Sequence, residues 1–407
     1  SIHLHRSLLD PEKYRALPAG DCLDFEQLIT SKAASELVEL KDGRLGFLPK
    51  LREEHGFDEI RLENLVSVYA NEMAPIAAAN RALEQALEDA PAIGKRTLAR
   101  LLFDDEQVSY ARSKRFFDKP RYDEINRQET ASESGAPYML LPDGGNPLGV
   151  VLVHGFLASP AEMRPLAEKL AAASHPVIAV RLTGHGTSPW DLRERSWRDW
   201  LEPVRRGYRI MSAFAERICV VGFSTGGSLA LLLAAERPDG LAGVAAVSAP
   251  LKFMNRNLIF VPLVHGANKL IRWLSSFEGI MPFRPNESEH PHINYRNVPL
   301  HGLYELRRLV EELENRLPDV ECPAMVIQAT EDRVVDPASA KLIHDRLGSG
   351  DKTLRLVISE RHGILNENIG GCQEMVIEFV SSLSSPADKN RQLQSLFPKQ
   401  SGDTERI

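Results

Sequence analysis

Between Arg217 and Leu229 the chain reads RICVVGFSTGGSL, an order of residues that few folds accommodate. An apolar, β-branched run leads directly into Gly222-Phe223-Ser224-Thr225-Gly226, and an Ala/Leu-rich helical pattern follows at once. A strand that turns straight into a helix puts its corner residue in a strained, exposed conformation. Glycines on either side remove the side chains that would collide there. The pattern predicts a nucleophile elbow with Ser224 at its tip. G-x-S-x-G is also short enough to arise by chance, in which case the glycines mark an ordinary βα turn and Ser224 is a helix N-cap. The two readings differ in what else the chain must contain.

A serine hydroxyl is a weak nucleophile at neutral pH and needs a histidine base oriented by a carboxylate, here later in the chain in the order Ser, acid, His. Ala324–Glu331, AMVIQATE, reads as a buried strand, and the loop after it begins at Asp332. Thr353–Ser359 reads as the next strand and runs into Glu360-Arg361-His362-Gly363. Functional groups of an open parallel sheet collect at the carboxyl ends of its strands, which selects Asp332 as acid and His362 as base. Glu331 and Asp336 stay open as alternative acids, although Asp336-Pro337 also suits an N-cap for the helix starting near Ala338. An oxyanion needs two backbone N–H donors. Thr225, next to the nucleophile, supplies one. Phe156, in the loop His154–Pro160 after the strand Gly149–Val153, supplies the other, with Gly155 allowing the turn. His154 fits a structural tie in that loop better than a second base.

Three further runs complete a set: Val151–Leu170 (VLVHGFLASPAEMRPLAEKL), Arg181–Pro189 (RLTGHGTSP) and Trp197-Arg198-Asp199-Trp200. With GFSTGG they closely resemble the α/β-hydrolase superfamily, in its bacterial carboxylesterase and monoacylglycerol-lipase branch, over about Pro137–Leu383. The resemblance implies an α/β fold with a mostly parallel, doubly wound sheet and a helical cap insertion. It implies Ser224, Asp332 and His362 as a catalytic triad, Phe156 and Thr225 as oxyanion donors, Gly184-His185-Gly186 as a structural turn, and no cofactor. Two departures stand out. The family opens with an antiparallel hairpin, whereas here one short strand, Pro137–Leu141, precedes the central strand, leaving Arg44–Leu48 as a candidate replacement. The second is a long insertion, about Leu251–Asp319.

That insertion is expected to be the cap. Its first half, FMNRNLIFVPLVHGANKLIRWLSSFEGIMPF, is apolar with interspersed basic residues, too broken by charge and Pro262 to span a bilayer. Phe253, Phe260, Trp273 and Phe277 are candidate walls of an acyl pocket, and the same apolar stripe could equally pack the cap onto the core. Peripheral membrane contact, if any, would use this face. His290-Pro291-His292 with Glu287 and Glu289 raises a metal reading, which fails for want of three or four converging ligands. No metal is expected.

At 407 residues the chain exceeds one such domain. Ser1 to about residue 135 reads as a mainly helical segment of unknown role, with periodic runs at Asp24–Leu40, Arg61–Glu88 and Ile93–Leu102, a strand-like Val66–Ala70, and a charged connector Arg112–Glu133. Residues 136–383 form the hydrolase domain and 384–407 a polar tail. The net charge of −7 and the lack of a basic patch argue against a nucleic-acid partner. Four cysteines without a spacing pattern, one in the strand before the elbow, suit a reduced, cytoplasmic protein. No signal peptide or transmembrane span is visible. The expected function is a serine hydrolase of small acyl esters such as monoacylglycerols or lysolipids. Acyl transfer or thioester cleavage by the same triad is the alternative enzyme, and a non-catalytic binding module, its N-terminal segment recruiting a partner, is the alternative of another class.

Overall fold

In the computed structural model, residues 36–41, 44–53, 74–89, 91–144, 147–253 and 282–383 are described. The chain divides into two units, Ser1–Asp105 and Glu106–Ile407. In the first, β1 (Val38–Lys41) pairs antiparallel with β2 (Arg44–Phe47) in a two-stranded sheet, and α1 covers Ala74–Asp89. Helix α2 (Lys95–Phe116) begins here and continues into the second unit. The helix expected over Asp24–Leu40 is corrected at its end, where Val38–Lys41 is extended. Residues 24–35 and 61–73, the latter containing Val66–Ala70, lie outside the described residues. Arg44–Phe47 pairs with β1 in this hairpin and supplies no strand to the main sheet.

The second unit is built on seven strands: β3 (Tyr138–Leu140), β4 (Leu148–Val153), β5 (Val177–Val180), β6 (Arg217–Phe223), β7 (Leu241–Val247), β10 (Ala324–Ala329) and β11 (Lys352–Val357). A small antiparallel pair, β8 (Phe283–Pro285) and β9 (Asn297–Pro299), lies between β7 and β10 in the sequence. The sheet order is β11-β10-β7-β6-β4-β5-β3, parallel throughout except for β3 at the edge. β4 and β10 are buried along their whole length, and β6 and β7 everywhere but their first residue, so their uninterrupted apolar runs suit strands covered on both faces. From β4 the chain runs to β5 on one side, then crosses to β6 on the other. The crevice at such a reversal is where open sheets bind ligands.

Helices α3 (Arg164–Ala172) and α8 (Cys372–Ser382) cover the sheet with Leu166, Leu170, Val376 and Val380. Helices α4 (Trp197–Met211), α5 (Thr225–Ala235) and α6 (Leu300–Arg316) pack on one another, and α7 (Ala338–Arg346) joins β10 to β11. All of α5 is buried, as expected of a helix apolar on every side. α6 falls inside the interval assigned to the cap, yet it buries Leu306, Leu309, Val310 and Leu313 beside α4 and α5. That part of 251–319 belongs to the helical layer of the core. Nor is the connector before Ala136 a bare linker. Thr130 donates to the Pro291 carbonyl at 2.7 Å, and the Ser132 and Glu133 N–H groups both reach the His292 carbonyl. The division after Asp105 thus differs from the boundary expected at 135. Among the described residues no helix is long and apolar enough to cross a membrane.

The β6–α5 corner positions the site. The Ser224 N–H is hydrogen-bonded to the Val247 carbonyl at 2.7 Å, and Ser224 has φ 53° and ψ −121°. A Cβ on Gly226 would collide with the Val153 and His154 carbonyl oxygens, and one on Gly222 with the backbone of Gly226 and Gly227. Gly226→Ala is therefore expected to destabilise the fold by about 2–4 kcal/mol, lowering Tm by about 5–15 °C. Gly350→Ala, with nothing within 4 Å of the added methyl, should leave Tm nearly unchanged. Equal thermal melts for the two variants would contradict the packing at the elbow.

Candidate active site

Ser224, at the tip of the corner, is 9% exposed. Its Oγ lies 3.1 Å from His362 Nε2, and His362 Nδ1 lies 2.7 Å from Asp332 Oδ2. The three groups come from the carboxyl ends of β6, β10 and β11, so the parallel register converts distant sequence positions into one hydrogen-bonded row. Of the three carboxylates left open by sequence, Asp332 alone reaches His362. Glu331 is exposed, and the Asp336 carboxylate accepts the Ala338 N–H at 2.9 Å as an N-terminal cap of α7.

Asp332 is buried and fully engaged. Its Oδ1 accepts the Val334 and Val335 N–H groups at 2.8 and 3.0 Å, and Gln328 Nε2 donates to Oδ2 at 2.9 Å. Burial opposes ionisation, but the His362 hydrogen bond and charge, with the two backbone donors, outweigh it and hold the carboxyl below its ordinary range. With its Nδ1–H given to Asp332, His362 offers Nε2 to the serine hydroxyl, the arrangement needed for it to take the Ser224 proton.

The loop after β4 closes the other side. The Phe156 ring packs against His185 and Trp200, with centroids 5.9 and 5.5 Å away, and a methyl on Gly302 would stand 2.9 Å from its edge. This wedge fixes the residue whose N–H was assigned to the oxyanion. Among the described residues, neither the Phe156 nor the Thr225 N–H has a hydrogen-bond acceptor. His154 lies beneath the loop. Its Nδ1 pairs with the Gly155 carbonyl at 2.9 Å and its Nε2 accepts the Leu182 N–H at 3.1 Å. Burial pushes its pKa down to about 3, so it is a neutral structural tie.

Three contributors were missed from the sequence. Gln328, near the end of β10, braces Asp332 from four residues upstream. Glu162 buries its carboxylate under the Phe156 loop, where Oε2 accepts the Gly155 N–H at 2.7 Å. Glu289 accepts the His362 and Gly363 N–H groups at 3.3 and 2.9 Å, tying the segment around β8 and β9 to the histidine loop. Glu289, His290 and Glu367 also converge, with Glu367 arriving from outside the interval read as a cap. Arg361 pairs with both carboxylates, so this cluster is joined by ion pairs. Of the four candidate acyl-pocket walls, Phe253 is bridged to Val335 beside the Asp332 loop. Phe260, Trp273 and Phe277 lie outside the described residues.

Comparison with known proteins adds to this geometry. A family profile described as serine aminopeptidase, S33, matches residues 147–369. A thermostable monoacylglycerol lipase of Bacillus sp. (strain H-257) is 33% identical over 225 residues, which is 54% of this chain and 84% of the relative. A carboxylesterase of Bacillus subtilis (strain 168) is 26% identical over 59% of this chain and 94% of its own length. Among solved structures, one from the metagenome-derived lipolytic pair LipS and LipT covers 62% of this chain and 99% of its own, at 26% identity and a TM-score of 0.53.

The Asp332 carboxyl gives a pH-dependent test. Because its folded pKa is depressed, its contribution to stability is present above about pH 3.9, the unfolded value, and is lost as pH falls through the folded pKa. The Tm gap between wild type and Asp332→Asn should be widest near pH 7 and shrink by pH 3. A gap of constant size would show that the negative charge itself contributes nothing.

Proposed function

The chain belongs to the serine aminopeptidase S33 family of α/β-hydrolases, and we propose that within it the chain acts as a serine hydrolase of carboxylic esters through an acyl-enzyme. The hydrogen-bonded row Ser224–His362–Asp332 is the observation that carries this reading. Ser224 Oγ attacks the ester carbonyl as His362 Nε2 takes its proton. Asp332 holds the imidazole and offsets the charge it gains. The carbonyl oxygen, now negative, is received by the Phe156 and Thr225 N–H groups. His362 then protonates the leaving alcohol, and water, activated by the same imidazole, releases the acid. No cofactor takes part.

The substrate class is a small acyl ester, with a monoacylglycerol or lysolipid as the finer proposal, supported by the relatives and by the apolar stretch from Phe253 to Phe283. Phe253, Phe260, Trp273 and Phe277 are proposed as its acyl-facing walls, on composition. The same stretch would make any peripheral membrane contact. Residues 136–383 carry the hydrolase activity, with residues 1–135 and 384–407 outside it. A cytoplasmic location is proposed from the free thiols of Cys219, Cys322 and Cys372.

Ser224→Ala and His362→Ala should each lower p-nitrophenyl ester turnover by at least about 10⁴-fold with Tm retained. Retained turnover in a folded Ser224→Ala protein would reject the reading, and faster cleavage of aminoacyl anilides or acyl thioesters than of esters would replace the substrate class.

The acyl walls have a separate test. Phe260→Ala combined with Trp273→Ala should reduce kcat/KM for decanoyl esters by about 10-fold or more, because each methylene left in water forfeits about 0.8 kcal/mol. Acetate ester turnover should change little. Equal losses at both chain lengths would assign these side chains to folding instead.

A further inference from the structure

The loop that carries Phe156 is followed by Ser159-Pro160-Ala161-Glu162, a Ser-x-x-Glu sequence of the kind that caps a helix with its serine hydroxyl and returns its glutamate to the serine N–H. That box is not formed. The Ser159 side chain makes no cap hydrogen bond, and its Oγ is buried without a partner. Glu162 instead turns its carboxylate back by seven residues to the Gly155 N–H, at 2.7 Å. The residue is 5% exposed. Gly155 stands at the centre of the site: a Cβ there would lie 3.2 Å from Glu162 Oε2 and 3.4 Å from both Phe223 Cδ1 and the Cβ of Ser224.

Burying a carboxyl on a single backbone donor is costly to the fold. Burial pushes its pKa up to about 7, with the Gly155 N–H and the facing charge of His362 opposing the rise. A stabilising role therefore does not account for it. A geometric role does. Glu162 holds the peptide plane before Gly155 through its N–H, while His154 Nδ1, on the Gly155 carbonyl, holds the planar peptide after it, the one that carries the Phe156 N–H. With both planes held and the Phe156 ring wedged, little freedom is left at the Gly155 dihedrals for the Phe156 N–H to swing.

We propose that Glu162 is a positioning residue of the oxyanion loop, its carboxyl group holding the Gly155 N–H so that the Phe156 N–H stays aimed at the substrate carbonyl oxygen above Ser224. The role rests on the reading of the site as that of a serine ester hydrolase. It acts through Gly155 and touches no reacting atom. In either protonation state an oxygen lone pair remains to accept the N–H, so glutamine is a conservative replacement. Methionine, of similar length, is not.

The test compares Glu162→Gln, Glu162→Met and Glu162→Asp in the full chain, with p-nitrophenyl butyrate as substrate and Tm measured for each. Glutamine should keep kcat within about 5-fold of wild type. Methionine fills the same space without an acceptor and should lose about 10²-fold in kcat, the scale of losing one oxyanion donor, with KM changed by less than about 3-fold. Aspartate, a methylene shorter, should lose about 10-fold, and it serves should the methionine variant fail to fold. A folded methionine or aspartate variant with wild-type kcat overturns the proposal, as does an equal loss of kcat in the glutamine variant. Ser224→Ala in the same assay separates this role from the function itself. If Ser224→Ala abolishes turnover, the ester-hydrolase reading stands and the Glu162 series decides alone. Turnover that survives Ser224→Ala removes that reading and this role with it.

Discussion

Everything at the site depends on how closely the β6–α5 corner approaches the end of β4. Gly226 lies so near the Val153 and His154 carbonyl oxygens that no Cβ fits, and Gly222 is as tightly placed against Gly226 and Gly227. That contact lets Ser224 occupy φ 53°, a conformation that costs of order 1–3 kcal/mol and persists only where the surroundings impose it. Bringing the corner against β4 also brings the Thr225 N–H, at the start of α5, to the loop that carries Phe156. One steric constraint thus sets both the conformation of Ser224 and how near the start of α5 comes to the end of β4. The parallel register of β7, β10 and β11 then places Asp332 and His362 at the same edge of the sheet.

Two buried carboxyl groups, Asp332 in the hydrogen-bonded row and Glu162 under the Phe156 loop, are pushed in opposite directions. Asp332 receives two backbone N–H groups, a glutamine amide and the imidazole, enough to keep it ionised against burial. Glu162 receives one backbone donor, and burial wins. The imidazole bonded directly to Asp332 makes the larger part of the difference, and the two backbone donors add to it. A carboxylate that must stabilise an imidazolium needs its charge, whereas one that only accepts a backbone N–H functions with or without it.

Most of the strand framework was legible because its signals are local. Runs such as LGVVLV and RICVVGF are apolar on both faces, and the acid and histidine follow the next such runs directly. What the sequence hid depends on tertiary contacts. The cap role of Asp336 was readable from Asp336-Pro337, whereas Ser-Pro-Ala-Glu reads as a capping box until the Gly155 N–H is seen to compete for its carboxylate. Leu300–Arg316 has the amphipathic pattern of a cap helix and of a core helix alike, and only its burial beside α5 distinguishes them. One miss was avoidable. Asp42-Gly43 is the pair favoured in two-residue hairpin turns, and the pairing of Lys41 with Arg44 across it is the hairpin that a helical reading of Asp24–Leu40 passed over.

The described end of the 251–319 interval is bonded to the same loops that carry the reacting groups. The Tyr295 N–H donates to the Leu157 carbonyl, one residue past Phe156, and its hydroxyl bridges the Thr187 N–H and the Gly184 carbonyl at 2.7 and 3.0 Å. Glu289 takes the N–H groups of His362 and Gly363. Each of these contacts ends on the backbone of the partner loop, so this segment braces the loop that carries Phe156, the turn at Gly184–Thr187 and the loop that carries His362. A substitution near β8 and β9 would therefore disturb the placement of His362 and of the Phe156 loop without touching either residue, and small misplacements of such groups are costly to catalysis.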